Sequence, residues 1–276
     1  MPESTRTRGD LCPGVLRPWP AEDGGLVRLR LIGGRVTNDQ LSALVAVSAA
    51  YGDGDVHLTS RTNLQVRGLP LDDGQLPAEV VDALVGTGLV PHPSHELARN
   101  VMVSPLSGIS GGLVDLHPVA TAYDDLLCAD PRLSALPGRF LVVLDDGRGD
   151  LQGRTLDLGA MAVDEAHVQL RAGSAGWGEV VPLVDLAPRL VQLAHEFLDR
   201  RGEGETAAWH VDELDAPLLA ADRDGRTLRN AGPLPLGPFE GGEHVEVPGG
   251  VLTPALVAEL EGHLVVTPWN GIVITA

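Results

Sequence analysis

The sequence contains one long-period internal repeat, and this feature constrains the fold more than any other. Near the start, GGRVTNDQLSALV begins at Gly33, and near the end GGVLTPALVAEL begins at Gly249. A second pair of segments, LTSRTNLQV and VTPWNGIVI, follows in the same order. Copies separated by more than 200 residues predict two half-domains of one kind that pack against each other about a pseudo-twofold axis, unlike the short period of a solenoid.

Within each copy the pattern predicts the order strand, helix, strand, strand. The segment LVRLRLI over residues 26–32 alternates, so its apolar side chains occupy one face of a strand and Arg28 and Arg30 occupy the other. Thr37 and Gln40 have the spacing of a capping box for a helix that reaches about Tyr51.

Two further strands are predicted in the first copy, over residues 56–59 and 63–69. In the second copy, the equivalent elements are strands over 244–247, 264–267 and 271–275, with a helix from Thr253 and Pro254 to about Leu260. Pro254 suits the first position of that helix.

The stretch between the copies has a different character. Segments 140–144, 167–171 and 179–182 are predicted strands, and a helix with one apolar face is predicted to start near Asp185. These elements indicate a separate α+β unit over residues 98–201. The polar segment 202–230 is expected to contain one short helix before an exposed linker.

The net charge of the chain narrows the classes of partner that it could bind. The chain has 20 basic residues, all of them arginine, and 38 acidic residues, for a net charge of -18. This balance argues against nucleic acid as a partner. No apolar run is long enough for a membrane helix, and the first residues have no apolar stretch typical of a signal peptide, so we expect no membrane partner and a cytoplasmic location.

The arginines are concentrated where the acids are fewest. Residues 1–100 hold 9 arginines and 12 acids, against 11 and 26 in the remainder. In that first part, the cationic side chains that could converge if the strands are neighbours are Arg28, Arg30, Arg61, Arg67 and Arg99. Such a groove would suit a polycarboxylate or a small oxyanion. The alternative is that these arginines only keep an exposed strand face soluble.

Other kinds of site have little support. The chain lacks lysine and therefore a Walker sequence, and it lacks a dinucleotide fingerprint. Its two cysteines, Cys12 and Cys128, are too few for a four-cysteine site. His92 and His95 are loosely spaced, so no metal site is assigned.

Five segments resemble, in order, the signatures of the nitrite and sulfite reductase superfamily, in particular its precorrin-3B synthase branch. They are LVRLRLIGGRVT, LTSRTNLQVRGL, ARNVMVSPLSG, LPGRF and VTPWNGIVI. The resemblance covers most of residues 10–276. It implies an α+β fold with two ferredoxin-like half-domains, over residues 10–75 and 230–276, and a nitrite/sulfite reductase-like α+β domain over 95–205.

The resemblance also implies a set of binding residues for tetrapyrrole carboxylates or an anionic substrate. The positions that carry it are Arg28, Arg30, Arg61, Asn63, Gln65, Arg67, Arg99, Asn100 and Arg139. A second basic position of the LPGRF motif falls on Leu141, which disfavours sulfite-reductase chemistry. Asn270 stands where many members have arginine. No catalytic residue is identified.

The implied function is an oxygen-dependent hydroxylation of a precorrin in cobalamin biosynthesis. The family implies a four-iron cluster and a tetrapyrrole substrate or siroheme, but its cluster cysteines lie beyond the second half-domain. We therefore expect this chain alone to hold neither a cluster nor another metal, and to be a truncated or split member that works with an iron-sulfur subunit or domain. The alternative is a non-catalytic tetrapyrrole-binding or partner subunit.

Overall fold

The computed structural model of the chain describes residues 11–276, so the predicted start of the first half-domain, at residue 10, lies outside them. The strands, in chain order, are β1 (Trp19–Ala21), β2 (Gly24–Leu29), β3 (Arg35–Val36), β4 (Val56–Leu58), β5 (Leu64–Leu69), β6 (Val101–Val103), β7 (Val142–Asp145), β8 (Leu158–Ala162), β9 (His167–Ala172), β10 (Gly176–Pro182), β11 (Gly237–Phe239), β12 (Gly242–Glu246), β13 (Val251–Leu252), β14 (His263–Val266) and β15 (Gly271–Thr275). The α-helices are α1 (Asn38–Tyr51), α2 (Ala78–Gly86), α3 (His117–Ala129), α4 (Leu186–Arg200) and α5 (Pro254–Val257).

The fold is α+β, as predicted, and the chain divides into two compact units. The repeat unit consists of residues 12–99 and 234–276, and the central unit consists of residues 100–233. Both copies of the repeat therefore belong to one compact unit. The finer domain boundaries stay a prediction.

The repeat unit contains two five-stranded sheets that exchange a short strand. Their orders are β1-β2-β5-β4-β13 and β11-β12-β15-β14-β3. Strand β13, from the second copy, pairs antiparallel with β4, and β3, from the first copy, pairs antiparallel with β14. Interchanging the two copies converts one sheet order into the other. The internal repeat is thus confirmed, with the pseudo-twofold relation that it predicts.

The helices of the two copies also begin in the same way, with a threonine cap. The Thr37 side chain accepts the Gln40 N–H in the predicted capping box, and α1 ends at Tyr51 as expected. The Thr253 side chain accepts the Leu256 N–H at the start of α5. Helix α5 is shorter than predicted, because the next backbone N–H groups bond to carbonyls three residues back and tighten the chain out of the α-helix.

The two copies share one hydrophobic core. Leu41, Leu44 and Leu64 of the first copy and Leu264 and Ile272 of the second are all at most 2% exposed and belong to the same cluster of buried side chains. Neither copy has to bury its apolar face alone, and this shared burial stabilises the exchange of strands.

The central unit contains one mixed sheet in the order β10-β9-β8-β7-β6. Strands β6, β7 and β8 run parallel, whereas β9 and β10 are antiparallel to their neighbours. Helices α3 and α4 pack together, and the Phe197 ring of α4 lies 5.1 Å from the Phe140 ring. Among residues 11–276, no helix is long and apolar enough to cross a membrane.

The polar segment 202–230 does not contain the predicted short helix. It forms single 3₁₀ turns, at Gly204–Thr206, Val211–Glu213 and Gly225–Thr227. At the last turn the Asp224 carboxylate accepts the Arg226 N–H, a local bond that favours a tight turn over a helix.

Candidate functional site

A row of polar side chains crosses the first sheet of the repeat unit. Arg28 on β2 is directly opposite Gln65 on β5, and Gln65 is directly opposite His57 on β4. Side chains opposite each other in antiparallel strands share a face. Their neighbours along the strands, such as Val27 and Leu64, are fully buried in the core. The row therefore lies on the face that turns away from the core.

Arg28 is the arginine of this row and carries a permanent positive charge. Its Nε atom is buried and has no hydrogen-bond partner among residues 11–276. Burial lowers the pKa of the Arg28 guanidinium, Cys12 opposes that effect, and charge repulsion from Arg61 lowers the pKa further. A buried donor without an acceptor destabilises the protein, so this position favours an anionic ligand.

Arg61 lies in the turn between β4 and β5, close enough for its charge to lower the pKa of Arg28. The next residue, Thr62, has a φ of 57°, a left-handed conformation that is unusual for a β-branched residue. The Thr59 N–H donates to the Asn63 carbonyl at 3.0 Å and closes the turn. Strain of this kind often marks a functional position, and here the hydrogen bonds of the turn hold the strained backbone next to Arg61.

Asn63 is a structural residue of the same turn. Its Oδ1 atom accepts the Leu31 N–H at 3.0 Å, and its own N–H donates to the Thr59 hydroxyl at 3.1 Å. The side chain is 1% exposed. Asn63 thus joins the turn that carries Arg61 to the segment that follows β2, the strand of Arg28.

The other predicted arginines of the repeat unit differ in their surroundings. Arg30 is 4% exposed and donates from Nη1 to the Pro13 carbonyl at 3.2 Å. Arg67 forms an ion pair with Asp23, with 2.9 Å between Nε and Oδ2. Arg99 is 6% exposed. Among the predicted cations, Arg61 lowers the pKa of Arg28 through charge repulsion, which links these two residues.

The remaining predicted residues lie in the central unit. Asn100 donates from Nδ2 to the Gly138 carbonyl at 2.9 Å, which fixes the loop that carries Arg139. Burial raises the pKa of Asp157 to about 6. The charges of His210 and Arg139, and the backbone N–H groups of Leu141 and Val211 that donate to the carboxylate, act in the opposite direction. Sequence reasoning missed Asp157 and His210. A lone aspartate before an apolar strand was the available signal for Asp157.

The metal-binding chemistry of the family does not fit this chain by itself. A four-iron cluster in these proteins needs four thiolates, whereas the sequence has two cysteines. Cys12 belongs to the repeat unit and Cys128 to the central unit. Within residues 11–276, no group of three or more His, Cys, Asp or Glu side chains is arranged to hold a metal ion.

Two interlocked half-domains and a mixed-sheet unit define the class of fold, and comparisons with known proteins define the family. Residues 19–75 match the nitrite/sulfite reductase ferredoxin-like half domain. The solved structure of the NirA protein from Mycobacterium tuberculosis has the same fold, with a TM-score of 0.67 at 16% identity over 91% of this chain and 53% of that chain.

Curated relatives give the same family. The ferredoxin–nitrite reductase of Synechococcus elongatus is 32% identical over 130 residues, which are 45% of this chain and 25% of the relative. The chloroplastic ferredoxin–nitrite reductase of Oryza sativa subsp. japonica is 38% identical over 227 residues, 73% of this chain and 37% of the relative. The precorrin-3B synthase of a Sinorhizobium species is 29% identical over 161 residues, 57% of this chain and 32% of the relative.

The chain belongs to the nitrite/sulfite reductase superfamily, and a precorrin-3B synthase is among its relatives. The matched segments span between 25% and 37% of these three relatives. The activity of the whole relatives is therefore a proposal for this chain.

Proposed function

We propose that the chain binds the carboxylate arms of a tetrapyrrole at Arg28 and Arg61, as part of an oxidoreductase similar to precorrin-3B synthase. The carrying observation is the Arg28 guanidinium, whose buried Nε has no acceptor among residues 11–276 while a second guanidinium repels it. A carboxylate at this place would accept from Arg28 and screen it from Arg61. Precorrins carry several acetate and propionate arms, which suit a row of guanidinium donors.

Neighbouring groups would orient the ligand. Gln65, directly opposite Arg28, offers an amide donor on the same face. The turn that carries Arg61 is closed by backbone and Asn63 hydrogen bonds, so the backbone that presents this cation is held before the ligand arrives. Preorganised donors of this kind lower the entropic cost of binding.

The proposal places the cluster ligands outside this chain, in a separate iron-sulfur subunit or a further domain, because two cysteines cannot supply four thiolates. When present, the cluster would feed electrons to the reaction. The residues described above would bind and orient the tetrapyrrole.

A titration with uroporphyrin tests the binding proposal. Arg61→Ala and Arg28→Ala should each lower the affinity by about 1 to 3 kcal/mol, the scale of a hydrogen bond to a charged group. Arg35→Ala, an exposed position on β3, is the matched control and should bind as the wild type does. Mesoporphyrin, which has far fewer carboxylates, should bind more weakly. Equal affinities of the wild type and all variants would show that these arginines do not bind the tetrapyrrole and only keep the strand face soluble.

The second candidate function is a non-catalytic tetrapyrrole-binding or partner subunit, and the two-cysteine sequence favours it. A visible spectrum of the purified chain, followed by a turnover assay with reductant and dioxygen, separates the candidates. Porphyrin binding without turnover, restored by a cysteine-bearing partner, would indicate a split enzyme. Binding without turnover under every condition would indicate a binding subunit.

A further inference from the structure

A second cationic site lies in the central unit, beneath residues 219–229, which we call the strap. Gln169 of β9 donates from Nε2 to the Asp222 carbonyl at 2.8 Å and accepts the Asp224 N–H at 2.8 Å. Gln152 donates from Nε2 to the Thr227 carbonyl at 2.6 Å. These two amide side chains hold the strap across the face of the sheet that carries Gln169 and, two residues along β9, Arg171.

Arg171 is an unusual residue for this position. It is 7% exposed, and its Nε atom is buried without a hydrogen-bond partner in the described part of the chain. Its guanidinium lies 5.0 Å from the centre of the Trp177 ring, which faces it from β10. Stacking on an indole stabilises a cation but supplies no acceptor for its N–H groups.

The strap adds a second cation to the same ring. The Arg223 guanidinium lies 4.7 Å from the centre of Trp177. Arg223 donates from Nε to the Thr227 hydroxyl at 2.9 Å and from Nη2 to Gln152 Oε1 at 3.1 Å, so its position is fixed. Arg223 is exposed, Trp177 is half-buried and Arg171 is buried. The site therefore opens to solvent at Arg223 and ends at Arg171.

Asp145 is the acidic group whose charge acts on Arg171, and its hydrogen bonds go to backbone N–H groups. Burial lowers the pKa of Arg171, Asp145 opposes that effect, and the charge of Arg223 lowers the pKa further. The Asp145 carboxylate already accepts the N–H groups of Gly147 and Gly149 at 3.0 Å and 2.9 Å, and that of Leu151 at 3.2 Å. The Asp145 carboxylate thus accepts hydrogen bonds from the loop that follows it.

We propose that Arg171 and Arg223 form a binding site for the oxyanion group of a small molecule, a phosphate or a carboxylate, with Trp177 as the apolar wall. An oxyanion between the two guanidinium groups would accept from both and offset their repulsion. It would also fasten the strap to the sheet, because Arg223 belongs to the strap and Arg171 to β9. None of these residues takes part in the proposed tetrapyrrole site.

Inorganic phosphate and acetate are the probes, added to the full chain in a buffer free of other oxyanions. We expect the bound anion to raise the midpoint of thermal unfolding and to shift the Nε–H resonance of Arg171. Arg171→Gln and Arg223→Gln should each weaken binding by about tenfold or more, since each removes a charged donor. Arg226→Gln, on the same strap, is the matched control and should bind like the wild type. A preference for one probe identifies the anion as phosphate or carboxylate.

The stability of the variants in the absence of anion provides a separate test. Arg171→Met removes a buried cation whose Nε has no acceptor in the described part of the chain. Its thermal midpoint should therefore equal or exceed that of the wild type, while its response to phosphate and acetate disappears. Two results would overturn the proposal: no response of the wild-type chain to either anion, or an equal response of Arg171→Gln, Arg223→Gln and the wild type. Uroporphyrin affinity should be the same in all these variants, which separates failure at this site from failure at the tetrapyrrole site.

Discussion

The two copies of the repeat place different chemistry on the same scaffold. Each sheet of the repeat unit has one row of three side chains at equivalent positions of three adjacent strands. The rows are Arg28, Gln65 and His57 in the first sheet and His244, Val273 and Val265 in the second.

The two rows differ in burial and in hydrogen bonding. We call the second row closed, because its side chains are buried, and the first row open, because its side chains are half-buried. His244, Val273 and Val265 are at most 3% exposed. One ring nitrogen of His244 lies 3.1 Å from the Pro235 carbonyl and the other 3.0 Å from the Thr267 hydroxyl. The first row is half-buried, and Arg28 has a buried Nε without a partner in residues 11–276. The repeat thus fixes the backbone positions, and the side chains decide which copy presents a half-buried polar row.

The turns that precede the last strand of each copy also differ, in the strain of one residue. Thr62 and Asn270 occupy equivalent turn positions, with φ of 57° and 53°. Asparagine adopts this conformation more readily than a β-branched threonine. The copy with the open cationic row therefore also carries the more strained turn, next to Arg61.

The largest expected effect tests the shared core. Leu64→Ala and Ile272→Ala remove equivalent side chains that are both 0% exposed. Each should lower the free energy of unfolding by about 2 to 5 kcal/mol in chemical denaturation. Val85→Ala, at an exposed position of α2, is the control. If one of the two core variants cost almost nothing, the copies would not share a core.

The next test compares the two rows directly. His244→Phe removes both ring hydrogen bonds from a buried site, and we expect a loss of about 1 to 3 kcal/mol in the free energy of unfolding. Arg28→Met removes a poorly partnered cation, so stability should stay the same or rise. Denaturation of both variants without ligand measures the difference. A large loss in Arg28→Met would show that Arg28 serves the fold.

The closed row should also give a pH dependence. Burial lowers the pKa of His244 from its usual value of 6.5, which means that the unfolded chain takes up this proton more readily. Stability from this residue is complete above about pH 6.5 and is lost as the pH falls below that value. His244→Phe should remove this part of the pH profile. Identical profiles for the two proteins would contradict the assignment of a buried neutral imidazole.

The smallest expected effect concerns the helix starts. Thr37→Ala breaks a capping box at the start of α1, which has 14 residues, and should cost about 1 kcal/mol. Thr253→Ala breaks a single side-chain cap on the four-residue α5 and should cost less. Thr37→Ser and Thr253→Ser, which keep the hydroxyl, are the matched controls for denaturation. The opposite ranking would show that α5 matters more to the shared core than its length indicates.

Local patterns account for what the sequence could predict. Alternation placed Arg28 on a strand face, and the spacing of Thr37 and Gln40 predicted the start of α1. The repeat itself predicted the paired architecture. Each of these signals lies within a few residues or depends on direct comparison of two segments.

Contacts between distant residues account for what it could not predict. The exchanged strands β3 and β13 have two residues each, too few for a periodic signal. The pair of Arg67 with Asp23 and the approach of Arg223 to Trp177 join segments that are 44 and 46 positions apart. The arginine composition predicted cations near a ligand. Only the fold distinguishes Arg28, whose Nε has no acceptor within residues 11–276, from Arg67, which has a carboxylate partner.

The most direct test of the open row is the Nε–H resonance of Arg28 in chain labelled with ¹⁵N at arginine. We predict that uroporphyrin shifts this resonance and slows its exchange with water, because the buried Nε gains a carboxylate acceptor. The Arg67 resonance, whose Nε already bonds to Asp23, should change little. An Arg28 signal that stays unchanged while uroporphyrin binds would contradict the account.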